Sequence, residues 1–177
     1  MRTSPAFLCT VFVGMLTLGT AVPASAVDLT TATVTITAGV LAISASGSAG
    51  NLGTRSNTVS GEAVISGSLG QVRVIDARSA AAGSGWVASA VSSAFAPPTG
   101  PELAGSLVSY VAGPIEKVGT ATYEANDPSG LKTVQAVVTA TEITGDNSAT
   151  WTPTISVAIP DGMAAGVYAA TITHSVL

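Results

Sequence analysis

The stretch Trp151-Thr-Pro-Thr-Ile-Ser-Val-Ala-Ile159 alternates in type at almost every step. Trp151, Pro153, Ile155, Val157 and Ile159 fall on one side, with Thr152, Thr154 and Ser156 opposite. Successive side chains of a strand point to opposite faces, so this period of two describes a half-buried β-strand. Pro153 has no N–H to give a ladder, which starts the strand late or places this part at a sheet edge. In the following Gly166–Leu177, the residues Tyr168, Ala170, Ile172, His174 and Val176 share one face, and Thr171, Thr173 and Ser175 the other. Joined through residues 160–165, the two stretches read as a closing hairpin.

Working outward, the same period recurs and no sustained helical repeat interrupts it. In Thr31–Ala45, Val34 and Ile36 alternate with threonines, then Gly39 intervenes. This predicts two short strands or one strand bent by a bulge. Strands are further expected at residues 63–67, 69–78, 86–95, 107–111, 115–123 and 131–141. Clusters of Gly, Ser, Asn, Asp and Pro at residues 47–58, 79–85, 96–102, 124–130 and 144–149 read as loops or turns. Eight or nine short strands at this spacing imply an all-β fold, a single antiparallel β-sandwich of immunoglobulin-like or Greek-key type. No internal repeat or second domain is visible.

Residues 1–26 stand apart. Arg2, an apolar run from Ala6 to about Leu18, and Ala24-Ser25-Ala26 form the pattern of a cleaved secretory signal. The run is too short and too interrupted for a membrane span. Cleavage after Ala26 would leave residues 27–177 as one domain of 151 residues without cysteine, the lone Cys9 going with the signal. A chain of that size buries enough surface to need no disulfide, and neither a sorting motif nor a hydrophobic tail follows the last strand. Only 9% of the residues are charged, so the surface must be polar mainly through hydroxyls. Loss of Arg2 takes the formal net charge from −4 to −5, which disfavours nucleic acid, a polymer bound by neutralising phosphates.

One histidine and no mature cysteine leave little for catalysis. No Gly-x-Ser-x-Gly turn is present, and a Ser-His-acid triad would have only His174 to use. The acids Glu102, Glu116, Glu124, Asp127, Glu142, Asp146 and Asp161 fall mostly in expected turns, and no spacing singles out a pair for glycoside hydrolysis. Asn126-Asp127 and Asp146-Asn147 match no recognisable calcium loop. We therefore expect no enzyme, no cofactor and no metal. Trp86, Trp151 and His174 are the candidates for ligand contact: two flat indoles able to stack on a sugar, and an imidazole able to bind or switch. Each has a plainer reading as a packing residue.

Three stretches carry a resemblance: residues 66–95, residues 134–177, and the export signal. Val74, Asp76 and Arg78 with Gly85 and Trp86 match one motif; Pro160, Ala165, Gly166, Tyr168, Thr171, Ile172 and Thr173 match a second. Together they resemble the WxL-domain surface proteins of Gram-positive bacteria, particularly short secreted actinobacterial forms, over about residues 61–177. The resemblance implies a β-sandwich bound noncovalently to the cell wall, with peptidoglycan as its polymer partner and other surface proteins as further partners. It departs from the family pattern after Trp86, where Val87-Ala88 replace the expected leucine, and at His174, where the family tends to carry tryptophan. Two rival classes remain open: a self-associating structural subunit pairing through edge or terminal strands, and a secreted hydrolase or inhibitor.

Overall fold

A computed structural model of the chain describes residues 32–35, 39–56 and 63–177. The signal segment read at residues 1–26 and the strand read around Ile36 lie outside the described residues. By its contacts the chain divides into two units, Met1–Thr35 and Ile36–Leu177, and every strand below belongs to the second. The described residues 32–35 of the first carry no strand.

Eight strands follow in order: β1 Leu41–Ala45, β2 Ala63–Ser68, β3 Val72–Ser92, β4 Val108–Val111, β5 Ile115–Ala125, β6 Gln135–Trp151, β7 Thr154–Ile159 and β8 Ile172–Val176. They form two antiparallel sheets packed as a sandwich. The larger runs β1-β3-β6-β5, with β8 also on β3; the smaller runs β2-β7-β4. Among the described strands only β5 and β6 are consecutive partners, so most connections cross between sheets. β1 pairs with Val72–Asp76 and β8 with Ala88–Ser92, so both lie on one side of β3 while β6 runs along the other.

The alternation read from residues 151–159 holds: Trp151, Pro153, Ile155 and Val157 are buried and Thr152 and Thr154 exposed. The core gathers Val72, Val74, Trp86, Val108, Tyr110 and Trp151 among its members, from both sheets. Each such side chain, fully enclosed, contributes about 1.5–3 kcal/mol through loss of apolar contact with water.

Three expectations are corrected. The turn read at residues 79–85 does not reverse the chain, and neither does the one read at 144–149. Both lie within long strands, β3 and β6, and face each other, with Ala80 opposite Gly145 and Ser84 opposite Ile143. Register shifts absorb the extra residues, helped by left-handed backbone at Ser79 (φ 51°), Gly83 (φ 87°), Glu142 (φ 54°) and Gly145 (φ 71°). The expected closing hairpin is likewise absent. β7 pairs with β2 and β4, whereas β8 pairs with β3 in the other sheet. The twelve residues between them exceed a tight hairpin loop and instead carry the chain across the sandwich.

Candidate functional site

Both tryptophans are enclosed, each only 2% exposed. The stacking platform that Trp86 and Trp151 were expected to offer therefore does not form, because neither indole face meets solvent. A buried indole still needs an acceptor for its N–H, and each finds a different one.

Trp86 Nε1 donates to Asn147 Oδ1 at 3.1 Å, and the Tyr123 hydroxyl donates to the same oxygen at 3.2 Å. The Trp86 and Tyr123 rings lie 5.7 Å apart, tilted by 55°. Asn147 Nδ2 is buried and makes no hydrogen bond. Beside this group Asp76 is fully buried. Arg78 grips its carboxylate bidentately, Nε to Oδ1 at 2.8 Å and Nη2 to Oδ2 at 2.9 Å, and adds its own backbone N–H at 3.1 Å. Arg78 Nη2 also donates to the Gly85 carbonyl at 3.2 Å. The guanidinium holds the Asp76 carboxyl below the usual carboxylate range against the opposing pull of burial, and the Arg78 backbone N–H adds to the lowering. Asp146 Oδ1 receives the Ser79 backbone N–H at 2.9 Å, fixing the start of the bulge. The four residues Asp76, Arg78, Gly85 and Trp86, matched as a string, are thus one bonded cluster bracing an irregular part of the β3–β6 ladder.

Trp151 Nε1 donates to the Tyr110 hydroxyl at 2.8 Å. That oxygen lies 3.3 Å from His174 Nε2. Having accepted from the indole, the hydroxyl can give its single proton to Nε2 when the imidazole is neutral with its proton on Nδ1, or accept from Nε2 in the other tautomer. The two rings meet edge-on at 5.8 Å. Burial lowers the His174 pKa and raises that of Tyr110, so both groups are neutral at pH 7. The face expected for His174, shared with Ile172 and Val176, is the half-buried face of β8.

His174 alone of the three candidates reaches a cavity. A cleft of about 1150 Å³ is walled by residues 45–56 and by residues 159–172, with Leu69, Phe95, Leu103, Ile155 and Val157 also lining it. Its first wall is shaped by local bonds, Ser48 Oγ accepting the Gly50 N–H and Asn51 Oδ1 the Gly53 N–H. Leu52 lies against Gly67 of β2, where a side chain on residue 67 would collide with it. The lining mixes aliphatic side chains with hydroxyls and backbone, plus Arg55 and Asp161. Besides His174, its aromatic lining residues are Phe95 and Tyr168.

Of the carboxylates weighed for catalysis, Asp127 Oδ1 accepts the Ala112 backbone N–H at 2.8 Å and Glu142 Oε2 accepts from Thr122 at 2.8 Å. Among the described residues, no three of His, Asp or Glu gather as metal ligands. No helix of the described residues is long and apolar enough to cross a membrane. Tyr110, Tyr123 and Asn147 escaped the sequence reading, although two buried indoles in so uncharged a chain call for polar partners. Compared with known proteins, the chain matches no protein family, no curated protein and no solved structure.

Proposed function

We propose that this is an exported, non-enzymatic cell-surface protein that binds a cell-wall polymer, peptidoglycan or its peptide-linked units, noncovalently through the cleft beside His174. The observation that carries the reading is the cleft itself. Its volume lies just above the roughly 300–1,000 Å³ of small-ligand sites, and its mixture of aliphatic side chains, hydroxyls, backbone, Arg55 and Asp161 suits a ligand with both apolar and hydrogen-bonding groups. His174 presents a neutral imidazole at its wall, oriented by Tyr110. The role once open to Trp86 and Trp151 becomes indirect: Trp151 anchors Tyr110, the hydrogen-bond partner of His174, and Trp86 braces the ladder.

Support for a non-catalytic protein comes from the use of its acids, since Asp76, Asp127 and Asp146 are all engaged with backbone or guanidinium donors. Export rests on the pattern of residues 1–26, and the wall as destination rests on the resemblance. Purified protein mixed with isolated Gram-positive walls should sediment with them, and soluble wall fragments should release it. Protein left wholly in the supernatant would remove the proposal.

A further inference from the structure

The exposed edges of the two sheets are unequally guarded. Unpaired strand edges are templates for another strand, and proteins blunt them with charges, bulges, breaks or covering loops. β5 carries Glu116, Lys117 and Glu124, and its register with β6 shifts on either side of Thr120. β4 is covered, because Tyr110 N donates to the Pro128 carbonyl and Ala112 N to the Asp127 side chain. The other edge of the larger sheet is uncharged but divided between two five-residue strands, β1 and β8, which pair with opposite ends of β3 and leave the bulged residues between them.

Among the described residues, β2 has no charge, proline or register shift to guard it: its six residues, Ala63–Ser68, pair throughout with β7. Among the described residues no backbone hydrogen bond reaches its outer edge. Val64 stands 61% exposed on the outer face of this edge strand. The charge-free character extends inward: β7 and β4 also lack any charged residue, so the whole smaller sheet holds none of the chain's sixteen. Identical copies of an acidic protein repel wherever their carboxylates meet. This sheet is where two copies can approach without opposing any.

From this juxtaposition we infer that β2 is a self-association edge, pairing antiparallel with β2 of a second copy across a twofold axis. The two small sheets then join as one six-stranded sheet, β4-β7-β2 continuing into its symmetry mate. Such an interface is isologous and closes at two copies. It uses backbone bonds for affinity, in the manner of strand addition. This inference is independent of wall binding, and its test contains no wall material.

Light scattering across a concentration series should show the full-length protein passing from monomer to dimer. Val64→Lys, placing a charge on the edge strand, should raise the dissociation constant at least tenfold with an unchanged circular dichroism spectrum. Val118→Lys, on the guarded β5, should leave it unchanged. Amide exchange at Ala63–Ser68 should slow as concentration rises, a readout needing no variant. A strict monomer throughout, a dimer undisturbed by Val64→Lys, or dissociation by Val118→Lys would each overturn the assignment.

Discussion

Trp86 and Trp151 each bury a large ring and donate an indole N–H to a side-chain oxygen in the core, yet the clusters around them differ in what lies beyond that oxygen. Behind Asn147 stands a buried carboxylate locked to a partly exposed guanidinium. Behind Tyr110 stands a neutral imidazole at the wall of a large cleft. The first cluster holds an ion pair and none of its residues lines the cleft, whereas the second carries no charge and reaches the cleft through His174. The same residue type therefore serves fold in one place and orientation of a reachable group in the other. Whether the end of each chain of bonds meets the cleft, and not the tryptophan itself, separates structure from candidate function.

The sharpest way to break the comparison is Arg78→Ala. It leaves the buried Asp76 carboxylate without its guanidinium; removing one partner of a fully buried pair costs about 3–5 kcal/mol, and the partial exposure of Arg78 puts the expected loss at the low end of that range. Urea melts should show a loss of that order, with wall binding retained by whatever fraction stays folded. A smaller loss is expected from Tyr110→Phe, which leaves the Trp151 N–H buried without an acceptor, at about 1–3 kcal/mol. This variant should also remove the hydrogen-bond partner of His174, visible in the nitrogen chemical shifts of the imidazole, and weaken wall binding beyond what stability explains.

The mildest change, His174→Gln, should cost under about 1 kcal/mol at pH 7, since the residue is only half-buried. Its signature is pH dependence. Burial lowers the folded pKa of His174 below its ordinary value near 6.5, so between those two values the unfolded chain holds the extra proton. Stability then falls as pH drops from about 6.5 toward the folded pKa, and this step should vanish in the variant. Asp76, whose folded pKa is also lowered, contributes stability present above the ordinary carboxylate value and lost as pH falls below it through the folded pKa. Thermal melts from pH 8 to pH 2 should therefore show two separate declines, with His174→Gln removing only the upper one.

The alternation in residues 151–159 and 168–176 made the strand faces legible, His174 included, because burial on one side of a sheet writes itself directly as period two. The sandwich followed from it. The long β3–β6 ladder was hidden for a physical reason: residues 79–85 and 144–149 each have the composition of a turn when read alone. Only their mutual pairing shows that both are bulges in one ladder. A local signal cannot report that its partner across the sheet carries the same irregularity. The partners of β7 and β8 were hidden likewise, since nearness in sequence suggests a hairpin and the alternating pattern does not say which sheet a strand joins. For the site, the sequence offered the two indoles and the imidazole but not their acceptors, Asn147 and Tyr110, which come from distant strands.

The position of β3 has a consequence in time. Its partners are β1, near the beginning of the described chain, and β6 and β8, the last of which ends at Val176. Contacts so far apart in sequence must close long loops before they return any stability, and chains dominated by them fold slowly. As the chain emerges from its first residue onward, β3 can find β1 early but must wait for almost everything else. Until the last strand arrives, part of one side of a 21-residue strand stands open, and this interval is when the chain is most exposed to misassembly. A factor that holds the emerging chain apart from its copies would matter most then, and shortening the delay between β3 and β8 by circular permutation should speed folding without altering the final structure.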